Sequence, residues 1–124
     1  MAKIHTPKIL VVDDEKDIRE ITQAFLVLNG YEVSTAANGK EALDKLLSDH
    51  FDMVITDLQM PLMGGIELLQ KISQIKSDLV TIVLTGYAVK ASDFPTEPFA
   101  HLRKPFSQKQ LMEVVQEGLK TVAG

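Results

Sequence analysis

The chain contains no cysteine, which excludes a disulfide framework and thiolate metal ligands and fits a reducing compartment. It also lacks any apolar run as long as a membrane span or a signal-peptide core, so a cytoplasmic protein with no membrane contact is expected. Basic residues are in deficit. With 13 Lys and Arg against 17 Asp and Glu, the net charge is −4, and direct nucleic-acid binding, which needs clustered cations on phosphates, is not expected. Internal repeats, low-complexity tracts and linkers are missing too. What remains is 124 residues, 45% hydrophobic and 24% charged, read as one globular domain over 1–124 with enough chain to bury a core.

The organising stretch runs from Met53 to Pro61. Met53, Val54, Ile55 and Thr56 lead without helical periodicity into Asp57, and Pro61 and Gly64-Gly65 follow. This predicts a buried parallel strand that ends on a carboxylate. Upstream, Lys8 to Val12 is a compact apolar strand stopped by Asp13-Asp14-Glu15. Ile18, Ile21, Phe25 and Leu28 then mark a helix face, ended by a left-handed cap at Asn29-Gly30. Tyr31 to Thr35 alternates as an edge strand, and Asn38 with Glu41 opens a helix buried through Ala42, Leu43, Leu46 and Leu47.

Downstream, Ile66, Leu69, Ile72 and Ile75 repeat at helical spacing, and Leu79 to Leu84 forms a buried strand delivering Thr85-Gly86. Pro95 and Pro98 leave room for at most a short helix between Ala88 and Asp93. Ala100 to Arg103 is a weaker strand ending in Lys104-Pro105. Ser107 and Gln110 cap the last helix, whose buried face is Leu111, Val114, Val115, Leu119 and Val122. Strands alternating with helices predict an α/β fold: a doubly wound, flavodoxin-like sheet of five parallel strands in the order 2-1-3-4-5, with a short or irregular fourth helix.

In such a sheet the carboxyl ends of the strands share one edge, which brings together Asp13 and Asp14, Asp57, Thr85 and Lys104. Singly, each has a plain structural reading: acids at a helix start, a turn hydroxyl, a solvated lysine. Together they describe chemistry. Carboxylates about 4 Å apart repel by roughly 4 kcal/mol at an effective dielectric near 20, and a divalent cation relieves this. Oxygen-only ligands suit Mg²⁺, with the Gln59 backbone carbonyl as one further donor. Asp57 is then the candidate nucleophile for a phosphoryl group, with Lys104 and the metal neutralising its oxygens and Thr85 hydrogen-bonding it.

Val12-Asp13-Asp14-Glu15, Asp57-Leu58-Gln59-Met60-Pro61, Leu84-Thr85-Gly86 and Lys104-Pro105-Phe106 resemble, in order and across essentially the whole chain, the motifs of the receiver domain of two-component response regulators, the CheY-like superfamily. The resemblance implies that Asp57 accepts a phosphoryl group from a sensor histidine kinase or a histidine phosphotransfer protein. It implies Mg²⁺ held by Asp14 directly, by Asp13 partly through water, by Asp57, and by the Gln59 carbonyl. It further implies a cis Lys104-Pro105 bond, tuning of phosphoryl lifetime by Gln59 and Tyr87, and a signalling domain that catalyses only its own phosphorylation and dephosphorylation. A downstream protein partner follows, and the chain is either a stand-alone receiver or part of a larger regulator or hybrid kinase.

Two features depart from the family pattern. His101 stands where receivers commonly carry the Tyr or Phe of the switch, so His101 and Thr85 are the expected switch pair. The stretch from Thr85 to Lys104 is about one helical turn shorter than usual. Two other functions fit parts of the pattern: a haloacid-dehalogenase-like phosphatase, whose nucleophile would follow the first strand, and a degenerate, unphosphorylated interaction module. Flavin binding is disfavoured by the acidic loop after the first strand.

Overall fold

The structure, a computed structural model, describes residues 5–60, 62–76, 78–86, 89, 94 and 96–122. Among them five strands and four helices occur: β1 Lys8–Val12, α1 Lys16–Leu28, β2 Glu32–Ala36, α2 Gly39–Ser48, β3 Met53–Asp57, α3 Gly65–Ile75, β4 Val80–Thr85, β5 Ala100–Arg103 and α4 Gln108–Val122. All strand pairs are parallel, in the order β2-β1-β3-β4-β5, as expected. The expected short helix between Ala88 and Asp93 lies outside the described residues, of which only Val89 belongs to that span.

Alternation along the strands divides the core in two. Ile9, Val11, Met53, Ile55, Ile82 and Leu84 pack with Leu26 of α1 and Leu111 and Val115 of α4. Leu10, Val12 and Val54 face the other way, onto Ala42 and Leu46 of α2 and Leu68 and Ile72 of α3. Both faces of β1, β3 and β4 are therefore covered, which is why those strands read as continuous apolar runs.

The helix ends follow their sequence signals. Asn38 Oδ1 accepts the Glu41 N–H at 2.8 Å, although the Glu41 carboxylate reaches Ala37 N rather than the cap itself. Ser107 and Gln110 exchange both bonds of a capping box, at 2.9 and 3.1 Å. Gly30 adopts φ 89° after α1, the left-handed conformation that glycine takes most cheaply.

The helix faces hold as expected at Ala42, Leu46, Leu69, Ile72, Leu111 and Val115 and differ from those expected elsewhere. In α1 the buried residues are Thr22 and Leu26, whereas Ile21 is exposed and Leu28 is 78% exposed. Thr22 can face the sheet because its hydroxyl donates to Ile18 O at 2.7 Å, so burial leaves no polar atom unpaired. A reading that counts only apolar residues misses it. Likewise in α3 Leu68 is buried beside the expected Leu69 and Ile72 while Ile66 and Ile75 are exposed, Leu47 of α2 is exposed, and Met112 joins Leu111 and Val115 under α4.

One close approach ties the fold to the end of β3. A Cβ at Gly65 would lie 2.5 Å from Asp57 O and 2.9 Å from Leu58 Cα, and the Gly65 N–H donates to Leu58 O at 2.9 Å. Gly65→Ala, a change that normally favours a helix, should here destabilise the protein by about 1–3 kcal/mol in urea denaturation. At Gly64 the nearest contact is 3.4 Å, and Gly64→Ala should cost far less. Equal effects would contradict the packing.

Candidate functional site

The register of the sheet builds the site. Val12 pairs with Thr56, so Asp13 and Asp57 stand abreast one step further on. Asp57 pairs with Leu84, which places Thr85 next along β4, and Thr85 pairs with Arg103, which places Lys104 just past β5. Backbone bonds continue the ladder past the strand ends: Asp13 N–H to Ala36 O at 3.2 Å, Leu58 N–H to Leu84 O at 3.0 Å, and Lys104 N–H to Thr85 O at 2.7 Å. The Lys104-Pro105 bond is cis.

Lys104 is the hub. Its Nζ donates to Asp13 Oδ2 at 2.9 Å and lies 3.5 Å from Asp57 Oδ1 and 3.6 Å from Glu15 Oε1. Asp13 is fully buried; its Oδ1 accepts the Glu15 N–H at 2.9 Å and its carbonyl accepts Arg19 Nη1 at 2.7 Å. Asp57 is 7% exposed and its Oδ1 accepts the Leu58 N–H at 2.9 Å. Asp14 is exposed at the rim, and Thr85 is buried. A cavity of about 200 Å³ is lined by Asp14, Glu15, Asp57, Gln59, Thr85 and Lys104, together with Leu58 and Gly86.

Burial pushes the Asp57 carboxyl up to about 6; Lys104 pulls the other way, Asp13 adds to the rise, and the Leu58 N–H opposes it. Lys104 is also desolvated, which works against its charge. The hydrogen bond and charge of Asp13, with Asp57 and Glu15, outweigh that and hold the ammonium above its ordinary value. The cluster is thus a fixed cation among an excess of acids.

Carboxylate oxygens of Asp13, Asp14 and Asp57 lie within 4.8 Å of one another. This oxygen-only, net negative set beside a cavity of about 200 Å³ fits a hard divalent cation such as Mg²⁺. Of the residues singled out in the sequence, Asp13, Asp14, Asp57, Gln59, Thr85 and Lys104 are gathered at this edge of the sheet. His101 is apart from them, exposed on β5 with its ring 6.2 Å from that of Phe94. Tyr87 lies outside the described residues.

Sequence reasoning named Glu15 only as part of an acidic triplet and did not single out Arg19. Glu15 directly precedes α1 without capping it by its side chain, and its carboxylate turns to Lys104 instead. Arg19 is one helical turn beyond Glu15, a spacing that could have suggested contact with the loop.

The Asp57 shift has a sign. The folded chain holds this proton more tightly than the unfolded chain, whose carboxyl titrates near 3.8. In cation-free buffer the Asp57 contribution to stability is therefore lost as pH rises from about 4 through about 6. Asp57→Asn should then stabilise the protein in urea denaturation by about 1–2 kcal/mol at pH 7.5, with the gain vanishing toward pH 4. A pH-independent difference would contradict this.

The model of the response regulator receiver domain matches residues 9–116. Response regulator SaeR of Staphylococcus epidermidis is 36% identical over 107 residues, covering 84% of this chain and 46% of that protein. The chain spans about half the length of the curated relatives it matches. A CheY-like receiver domain protein from Methanospirillum hungatei JF-1 has 34% identity and a TM-score of 0.88, over 94% of this chain and 95% of that one. The response regulator TrrA from Thermotoga maritima, solved in complex with Mg(2+)-BeF, has 39% identity and a TM-score of 0.85, over 91% and 99%. These matches give no support to a dehalogenase-like phosphatase or to a degenerate interaction module. With its order of strands, its acidic edge and its matched motifs taken together, the chain belongs to the response regulator receiver domain family, the phosphoacceptor signalling domains of two-component systems.

Proposed function

We propose that Asp57 is the phosphoacceptor and that residues 1–124 act as a cytoplasmic receiver charged by a sensor histidine kinase or a histidine phosphotransfer protein. The observation that carries this is the placement of one buried carboxylate, held near neutral pKa, 3.5 Å from the ammonium of Lys104. An oxygen of Asp57 attacks phosphorus as the bond from phosphorus to the donor imidazole nitrogen breaks. The imidazole leaves with the electron pair and takes up a proton. Lys104 balances charge on the transferring oxygens, and the Leu58 N–H orients the nucleophile.

Asp14, Asp57 and the Gln59 carbonyl would hold Mg²⁺, which supplies charge neutralisation on the phosphoryl oxygens when bound. Both oxygens of Asp13 are already hydrogen-bonded, which supports a water-mediated share for it and a second duty in holding Lys104. The chain turns over no separate substrate on this reading; it makes and loses its own acyl phosphate.

Phosphorylation adds nearly two negative charges and three acceptor oxygens. Thr85 hydrogen-bonds them, and its movement, passed to His101 on the neighbouring strand, changes a surface read by a downstream protein. With acetyl phosphate and Mg²⁺, intact mass should rise by about 80 Da, one phosphoryl group. Asp57→Ala should show no gain, and Lys104→Ala should gain it about 100-fold more slowly. Thr85→Ala should keep the mass gain and lose any change in amide exchange over 96–106. Equal labelling of Asp57→Ala and wild type would refute the assignment.

A further inference from the structure

A second cluster of ligating side chains occupies the opposite edge of the sheet. His5 precedes β1, and His50 and Asp52 lie in the turn that feeds β3. His5 Nε2 is 2.8 Å from Asp52 Oδ2, and His50 Nε2 is 3.2 Å from Asp52 Oδ1. The Asp52 side chain is only 4% exposed, whereas those of His5 and His50 are 62% and 72% exposed. One ligand atom from each residue falls within 4.8 Å of the other two.

We propose that His5, His50 and Asp52 form a binding site for a borderline divalent transition-metal ion of the Zn²⁺ class, separate from the acidic phosphoacceptor pocket. Two imidazoles with one carboxylate and no thiolate suit Zn²⁺ and its neighbours, whereas Mg²⁺ prefers oxygen donors and retained water. The spacing fits. Metal–ligand bonds of about 2.0–2.1 Å at tetrahedral angles hold ligand atoms roughly 3.3 Å apart. The two imidazole nitrogens approach different oxygens of Asp52, at 2.8 and 3.2 Å, with one ligand atom of each residue within 4.8 Å of the others, and the exposed rings can turn to gather them about one ion.

The carboxylate is already oriented for such a duty. The Lys8 N–H donates to Asp52 Oδ2 at 2.9 Å, and the Asp52 N–H donates to Lys8 O at 2.8 Å. This backbone clasp holds one oxygen and leaves Oδ1 facing His50, the arrangement in which an outer hydrogen bond aims a metal ligand. A cleft of about 390 Å³, lined in part by His50, Asp52, Lys76 and Asp78, adjoins the cluster and has room for water in the remaining coordination position. A bound ion would tie the lead before β1 to the start of β3.

The test is a calorimetric titration of the full chain with Zn²⁺ in buffer saturated with Mg²⁺. One ion per chain is expected. The double variant His5→Ala/His50→Ala should weaken binding by at least about 100-fold, with circular dichroism and the acetyl phosphate mass gain unchanged, while Asp14→Asn should leave Zn²⁺ binding intact. In the wild type, Ni²⁺ should broaden amide signals of residues 5–8 and 49–53 first, a readout independent of any variant. No binding, binding untouched by the double variant, binding lost in Asp14→Asn, or broadening centred on residues 13–14 and 57–59 would each overturn the proposal.

Discussion

Lys104 Nζ stands 2.9 Å from one buried carboxylate and 3.5 Å from another, and the charge balance of the pocket depends on that unequal division. A single ammonium cannot neutralise Asp13 and Asp57 together with Asp14 and Glu15 at the rim. Burial raises the Asp57 pKa to about 6, and Lys104, closer to Asp13 than to Asp57, offsets that rise only in part. The pocket is therefore electrostatically unfinished without a cation. On the proposed reading, a divalent cation would complete that charge balance and prepare the site for a phosphoryl group.

The rest of the fold serves that edge. Parallel pairing sets the three strand ends abreast, and burial of β1, β3 and β4 on both faces makes them stiff supports. The approach of Gly65 to the end of β3 lets α3 start directly behind Asp57. The same strand feeds from the opposite end, where Asp52 is clasped by Lys8. Thus β3 carries the proposed phosphoacceptor carboxylate at its exit and a candidate metal ligand before its entry.

Much of this was legible in the sequence. The bounds of β1 and β3 follow from apolar runs stopped by Asp13 and Asp57, β5 was legible as a weaker, partly polar strand before Lys104, and the caps at Asn38 and Ser107 follow from their partners three residues on. The site was legible for a related reason: strand ends are where a parallel sheet must gather its polar residues. The face of α1 was not, because a threonine that bonds its own helix counts as polar in the sequence and as core in the fold. Long-range partners were also hidden. Nothing local shows that Glu15 turns to Lys104, or that His5 meets Asp52 across 47 positions.

The account turns on an Asp57 proton retained by burial and displaced by a cation. Calorimetry of Mg²⁺ binding at pH 6, in two buffers of different ionisation enthalpy, counts that proton directly. The account predicts release of about half a proton per bound ion at pH 6 and essentially none at pH 8, with the release absent in Asp57→Asn. Binding of Mg²⁺ at pH 6 with no proton release by the wild type would contradict it.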